Sequence, residues 1–152
     1  METEGQVMQG WQERTELLLG RRAVERLGAA HVLVCGVGGV GAYAAEMLVR
    51  AGVGALTMVD ADCVQLSNLN RQLPALCSTL GRPKVEVLAS RLRDINPQVR
   101  LFLCAEYMTA ESVPSLLDGA VPGLDFVVDA IDTIAPKCAL ISEAYRRKLP
   151  LV

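Results

Sequence analysis

Short apolar runs alternate along the chain with segments in which apolar residues recur every three or four positions. The runs predict four buried strands, and the longer segments predict amphipathic helices between them. The predicted strands are His31–Cys35, Ala55–Val59, Val99–Cys104 and Leu124–Ile131. The predicted helices are Ala42–Arg50, a segment from Pro83 to Asn96, a segment from Thr109 to about Gly119, and Ala135–Lys148. Alternating strands and helices indicate an α/β fold of the Rossmann-like, doubly wound type, a mostly parallel sheet with helices on both faces.

The two ends of the chain add further predicted elements to this α/β pattern. Residues 1–12 are polar and predict a flexible tail, and the segment from Glu13 to Leu27 predicts two short helices split by Gly20, with Gly28 as C-cap. Pro150–Val152 resembles the start of a further strand, so we expect a sheet that is incomplete at the C-terminus. The folded domain is predicted to be 13–152, the N-terminal part of a longer domain.

Composition narrows the classes of protein to consider. The chain has 152 residues, of which 51% are hydrophobic, and a net charge of −2, which suits one domain with a real core. No apolar run approaches the length of about 20 residues that spans a membrane, and the N-terminus does not resemble a secretion signal. The five cysteines form no Cys-x-x-Cys pair. Free thiols and a cytoplasmic location are therefore expected.

The segment from His31 to Asp60 carries the clearest chemistry. A strand, the turn Gly36-Val37-Gly38-Gly39-Val40-Gly41, a helix and a second strand that ends at Asp60 form the nucleotide-binding βαβ pattern. Gly36 permits the tight turn, Gly38 lets the backbone approach a phosphate, and Gly41 lets the helix lie close to the strand. The helix N-terminus offers N–H donors to an anion, and Asp60 is placed to accept hydrogen bonds from a ribose.

Further polar residues point to a triphosphate. A domain that binds only NAD has no use for Arg71, Lys84 or a second strand-end acid at Asp132. These residues fit together if the α-phosphate of ATP is attacked, because Arg71 and Lys84 would neutralise charge on the phosphates and Asp132 would hold Mg²⁺. Asn68 would fix a phosphate or ribose by hydrogen bonds.

At this point the sequence resembles the ThiF/MoeB/HesA superfamily of adenylating enzymes, relatives of ubiquitin-activating enzymes. The motifs that carry the resemblance are Gly36-x-Gly38-Gly39-Val40-Gly41, Asp60-x-Asp62, Ser67-Asn68-x-Asn70-Arg71-Gln72, Gly81-x-Pro83-Lys84 and Asp129-Ala130-Ile131-Asp132. The resemblance implies that these motifs bind ATP, with the residues Gly36, Gly38, Gly39, Gly41, Asp60, Asp62, Asn68, Arg71, Gln72 and Lys84. It also implies magnesium support by Asp132 and a homodimer in which Arg14 reaches the partner's ATP.

Finer features are similar to the branch of tRNA threonylcarbamoyladenosine dehydratases, which activate a carboxylate of a tRNA nucleoside and let it cyclise. The segments are Arg14–Gly20, Asn68–Leu73, and Asp129–Thr133 with Pro136–Ile141. Two alternatives stay open. One is adenylation of the C-terminal glycine of a ubiquitin-like sulfur carrier, for thiamin or molybdopterin synthesis. The other is a nucleotide-binding domain without catalysis.

Each site residue also has an ordinary structural interpretation. Arg71 could form a surface salt bridge, Asp132 could cap a helix, and Asp62 could form a turn. Arg14 could be an exposed helix arginine. Cys63 and Cys77 lie in loops near the proposed site, where nothing beside them supplies a base, and we expect neutral thiols there.

Overall fold

The computed structural model describes residues 10–119 and 123–152, and the flexible tail predicted at 1–12 lies mostly outside them. Six helices and four strands occur in these residues. The helices are α1 (Glu13–Leu19), α2 (Arg21–Ala29), α3 (Gly41–Ala51), α4 (Lys84–Ile95), α5 (Val113–Gly119) and α6 (Ile134–Arg146). The strands are β1 (His31–Cys35), β2 (Ala55–Val59), β3 (Arg100–Cys104) and β4 (Phe126–Asp129). Two short 3₁₀ turns, Leu66–Asn68 and Cys77–Thr79, precede α4.

The four strands form one parallel sheet in the order β3-β2-β1-β4. All residues of β1 and β2 are buried, as expected where helices cover both faces of a parallel sheet. The predicted Rossmann-like α/β fold is therefore confirmed. All four carboxyl ends lie at one edge of the sheet, where such folds bind ligands.

The two faces of the sheet pack against different helices. Val32 and Val34 of β1 join a core with α3 and α4. Leu33 and Cys35, which point to the other face, join a second core with α5 and α6. Alternation along a strand thus sorts the apolar residues into two layers.

Several predictions of local structure are wrong. Gly28 lies inside α2, which continues to Ala29 and is capped by Ala30. Thr109 does not begin α5; it exchanges hydrogen bonds with Ser112, and the helix starts at Val113. The apolar spacing of the last predicted helix places Leu140, Ile141 and Ala144 on its inward face, but Ile141 is exposed and only the other two are buried. A periodic apolar pattern identifies the buried face of a helix. It does not show how many residues at the border of that face are covered by the rest of the protein.

The prediction that Pro150–Val152 pairs with the sheet as a further strand is confirmed in part. Leu151 forms a parallel bridge with Val127 of β4, and Val127 N donates to Pro150 O at 2.9 Å. These residues thus extend the parallel pairing on the side of β4 away from β1.

Helices α1 and α2 lie at the amino edge of the sheet, away from the carboxyl ends. Gln12 Nε2 donates to Ala51 O at 3.1 Å, just before β2 begins. Gly54 N donates to Leu27 O at 3.1 Å. Neither helix has a buried residue. Within the described ranges, no helix is both long and apolar enough to cross a bilayer.

Candidate nucleotide site

A cleft of about 660 Å³ opens at the carboxyl edge of the sheet. It collects most of the residues that the sequence predicts for ATP. These are Gly36, Gly38, Gly39, Asp60, Asp62, Asn68, Arg71, Gln72, Lys84 and Asp132. Gly41 lies beneath it at the start of α3, and Arg14 is absent from its lining.

The glycine turn is held against the end of β4. Gly36 has φ +84°, and a side chain there would meet Ala130 O at 2.7 Å. A Cβ on Gly41 would lie 1.8 Å from Gly36 O and 3.0 Å from Ala130 Cβ. The turn therefore needs glycine at both positions, for conformation at Gly36 and for space at Gly41.

Asp60 is anchored by the backbone around it. Its Oδ2 accepts a hydrogen bond from Val37 N at 2.8 Å, and its Oδ1 accepts one from Asp62 N at 2.9 Å. These bonds tie the end of β2 to the glycine turn. Each carboxylate oxygen has a second lone pair, so Asp60 still has acceptor capacity toward the cleft.

Lys84 is buried at the first position of α4, where its charge opposes the helix dipole. Its Nζ lies 2.7 Å from Asp62 Oδ2. Lys84 N also donates to Asp62 O at 2.9 Å, and Cys63 forms a bridge with Pro83. The loop after β2 is thus fastened to the start of α4, which fixes a buried cation beside the cleft.

Arg71 is exposed and lies further along the same loop. Its Nη1 donates to Ser67 O at 3.1 Å and to Asn70 Oδ1 at 2.9 Å, and its stem packs beside Gly39. Its guanidinium forms no salt bridge within the described residues, so the salt-bridge interpretation finds no support there. Arg71 also lines the cleft.

Asn68 and Gln72 shape the floor of the cleft. Asn68 is buried, and its Oδ1 accepts a hydrogen bond from Gln65 N at 3.0 Å. This leaves the amide N–H groups of Asn68 as its donors. Gln72 Oε1 is buried without a hydrogen-bond partner among the described residues, while its Nε2 lies near Gly38. A ligand or water that donates to this oxygen would remove the cost of an orphaned acceptor.

Asp132 is exposed in the short segment between β4 and α6. The N-cap of α6 is Thr133, not Asp132, so helix capping does not account for this carboxylate. Asp129 holds the segment at its base: its Oδ2 lies 2.7 Å from Lys137 Nζ, and its Oδ1 accepts from Ile131 N.

Sequence reasoning missed part of the lining. Glu106, Tyr107 and Met108 follow β3 and border the cleft beyond Asp60. They belong to no motif, but their position after the carboxyl end of a strand is a signal that could have identified them.

The five cysteines differ in how deeply they are buried. Burial raises the pKa of the Cys35 thiol to about 12, which makes it inert. Cys63, Cys77 and Cys138 are exposed, Cys104 is partly buried, and all five are free. Among the described residues, no cluster of three or more metal-ligating side chains occurs.

Comparisons with known proteins agree with this geometry. A tRNA threonylcarbamoyladenosine dehydratase of Escherichia coli (strain K12) is 41% identical over 149 residues, covering 96% of this chain and 54% of its own. A molybdopterin-synthase adenylyltransferase of Haemophilus influenzae is 36% identical over 128 residues, covering 84% and 51%. The chain therefore spans about half the length of these curated relatives.

Solved structures give the same result. The crystal structure of the E. coli tRNA N6-threonylcarbamoyladenosine dehydratase in complex with ATP has a TM-score of 0.88 and 41% identity, covering 94% of this chain and 59% of that one. The sequence model of the ThiF family matches residues 12–152. This chain belongs to the ThiF family.

Proposed function

We propose that this chain carries the ATP site of an enzyme that adenylates a substrate carboxylate. The observation that carries the proposal is the meeting of Lys84 and Arg71 with the glycine turn and Asp132 in one cleft. A buried lysine and an exposed arginine that forms no described salt bridge are suited to phosphate oxygens. The relative whose structure contains ATP has the same fold over nearly all of this chain.

The strand order supports one orientation of ATP. Phosphates would lie at the glycine turn after β1, beside Gly38 and Gly39, and the ribose at Asp60 after β2. Because β3 lies beyond β2, the base would point toward Glu106 and Met108. Asn68, Gln72 and Asp62 would complete the contacts along the nucleotide.

The donor set fits Mg²⁺. Magnesium in nucleotide sites commonly takes one or two carboxylates, waters and phosphate oxygens, and Asp132 is an exposed carboxylate on the cleft. Asp132 would therefore hold the ion, which would supply charge neutralisation at the phosphates. A closed protein cage is not required.

In the proposed reaction a carboxylate oxygen of the substrate attacks the α-phosphorus of ATP. The bond from that phosphorus to the bridging oxygen breaks, pyrophosphate leaves, and an acyl-adenylate remains. Lys84 and Arg71 would stabilise the charge that develops on the phosphates, and the glycine turn would orient the chain of phosphates. A nucleophile within the substrate would then displace AMP.

ATP affinity tests the site. Removing a charge-assisted contact in Arg71→Ala or Lys84→Ala should weaken ATP binding by about 10- to 100-fold, measured by calorimetry on protein that retains its circular dichroism spectrum. Arg93→Ala, an exposed arginine on α4 outside the cleft, is the matched control. Unchanged affinity in both site variants would reject the assignment.

The substrate we favour is threonylcarbamoyladenosine in tRNA, with cyclisation by dehydration in the cytoplasm. The name and identity of the E. coli relative support this choice. Nucleoside mass spectrometry should show loss of the cyclic form and accumulation of the open form in tRNA from cells in which the gene for this chain is deleted. Persistence of the cyclic form would reject this substrate.

The alternative substrate is the C-terminal glycine of a ubiquitin-like sulfur carrier, which the adenylyltransferase relative supports. Exchange of labelled pyrophosphate into ATP distinguishes the two, because only the true substrate should trigger it. A domain that binds without catalysis would show no exchange with either substrate. Strong NAD binding that does not depend on magnesium would favour that third possibility.

A homodimer belongs to the same proposal. Arg14 lies in the first turn of α1, at the sheet edge opposite the cleft, so it would reach ATP only in a partner. Leu17 and Leu18 beside it are 82% and 83% exposed, which suits an apolar contact. Sedimentation should give a dimer, and mixing Arg14→Ala with Lys84→Ala protein should restore exchange activity that neither variant has. A monomer would reject the role of Arg14.

A further inference from the structure

A second cavity of about 410 Å³ adjoins the cleft at its β3 end. The two cavities share the residues at their junction, which are Val59, Glu106, Tyr107 and Met108. From there the side cavity runs between the outer strands and α5. It reaches Thr57 and Phe102, which lie in the middle of β2 and β3.

The lining of the side cavity differs from that of the cleft. Phe102, Leu103, Met108 and Leu116 supply apolar surface. Of the described residues that line the cavity, only Glu106 at the junction is charged. Its size lies within the range of about 300–1,000 Å³ typical of small-molecule sites. The cavity therefore suits an uncharged, apolar group and not a phosphate or a sugar.

The position of the cavity relates it to the nucleotide, and this step rests on the proposed function. With the phosphates at the glycine turn and the ribose at Asp60, the base lies at the junction beside Glu106. A carboxylate only accepts hydrogen bonds, and the donor on adenine is its exocyclic amine. Glu106 would thus turn that edge of the purine toward the side cavity.

We propose that the side cavity is a subsite for an apolar substituent on the adenine amine. The cleft then accepts adenine nucleotides that carry an N6-benzyl or similar group, which would be buried against Phe102 and Leu116. A substituted amine keeps one N–H, so its hydrogen bond to Glu106 is retained. Burial of the substituent offsets the cost of displacing water from the cavity.

Calorimetry with ATP and N6-benzyl-ATP tests the proposal on the chain as it stands. Wild-type protein should bind N6-benzyl-ATP at least as tightly as ATP. Ser115 lines the cavity from α5 and is exposed, so Ser115→Phe should fill the space without disturbing the core. This variant should weaken N6-benzyl-ATP by about tenfold or more and leave ATP within about twofold.

Ser90→Phe is the matched control, because Ser90 is an exposed helix serine on α4, on the other face of the sheet. It should leave both affinities unchanged. N6-benzyl-ATP that binds about tenfold more weakly than ATP to wild-type protein would overturn the proposal. Equal effects of the two serine variants would do the same. Failure of both nucleotides to bind would reject the proposed function itself, and this subsite with it.

Thiol labelling gives a second measurement that needs no variant. Cys104 lines the side cavity but not the cleft. N6-benzyl-ATP should slow alkylation of Cys104 by N-ethylmaleimide, followed by peptide mass spectrometry, and ATP should not. Equal protection by ATP would mean that the unsubstituted base already fills the cavity, and would overturn the proposal.

Discussion

Lys84 and Asp62 form an ion pair whose two side chains lie in different environments. Their Nζ and Oδ2 atoms are 2.7 Å apart, yet the Lys84 side chain is 5% exposed and that of Asp62 is 53% exposed. A buried cation needs a nearby anion or strong hydrogen-bond acceptors. Asp62 has this role here, and phosphate oxygens would compete with it when a nucleotide binds.

Asp62→Asn should therefore lower the free energy of unfolding by only about 1 kcal/mol, because solvent screens a half-exposed partner. Urea unfolding measures the loss, and Asp94→Asn, an exposed aspartate of α4, is the control. The difference between wild type and Asp62→Asn should shrink in high salt. A loss of several kcal/mol would contradict the prediction, because it would require Asp62 to be shielded from solvent, whereas its side chain is 53% exposed.

Gly41→Ala should damage both fold and site. The new Cβ would lie 1.8 Å from a backbone oxygen, so the glycine turn must move, at a cost of about 3 kcal/mol. Gly28→Ala is the contrasting variant: it lies inside α2 with nothing within 4 Å of its Cβ position. It should raise stability by up to about 1 kcal/mol. Thermal unfolding of both variants checks the prediction, which fails if Gly41→Ala is as stable as wild type.

Glu46 joins α3 to α4 through a buried carboxylate. Its Oε2 accepts from Arg91 Nε at 2.6 Å and its Oε1 from Arg50 Nε at 2.9 Å. The hydrogen bond from Arg91 is the main cause that lowers the pKa of Glu46. Glu46→Gln should cost about 1–2 kcal/mol, since both arginines are half-exposed.

The matched control for Glu46 is Glu25→Gln. The pair of Glu25 with Arg21 is largely exposed to solvent and should contribute almost nothing. Because the pKa of Glu46 is lowered in the folded state, its contribution is present above the ordinary glutamate pKa of 4.5 and is lost as pH falls below it. Equal losses in the two variants, measured by urea unfolding at pH 7, would contradict the prediction.

His31 should make stability depend on pH near neutrality. It is buried, bonds to Thr57 Oγ1 at 2.8 Å and packs on Phe102. Burial is the main cause that lowers its pKa from 6.5. The unfolded chain then binds more protons than the folded one just below pH 6.5, so the stabilisation is complete above that pH and is lost as pH falls.

His31 is the only histidine of the chain, which makes the measurement clean. Urea unfolding between pH 5 and 8 should show stability rising with pH up to about 7. His31→Gln should remove that slope, whatever its effect on stability at pH 8. An unchanged slope in the variant would assign the dependence to another group.

The sequence was sufficient for features that depend on local pattern. The strands were located because buried parallel strands are continuous apolar runs, and the glycine turn because Gly36 and Gly41 have steric reasons to be glycine. Features that depend on contacts between distant parts of the chain could not be predicted from the sequence. The pairing of Glu46 with Arg91 joins residues on different helices, and nothing near either predicts it. The exposure of Leu17 and Leu18 could not be predicted either, because a helical pattern of apolar residues does not show whether another part of the protein covers them. The side cavity depends on the distance between α5 and β3, which no local pattern encodes.

The central place of the first strand has a consequence for synthesis on the ribosome. The chain builds the sheet outward from β1, first through β2 to β3 and only later through β4 on the other side. A nascent chain that has emerged as far as Cys104 holds the glycine turn, Asp60, Arg71 and Lys84, but not Asp132. Until β4 arrives, the second edge of β1 has unpaired backbone groups in an apolar strand, a feature that promotes aggregation. Pairing of β4 with β1 thus completes the cleft and covers the open edge of β1 in the same step.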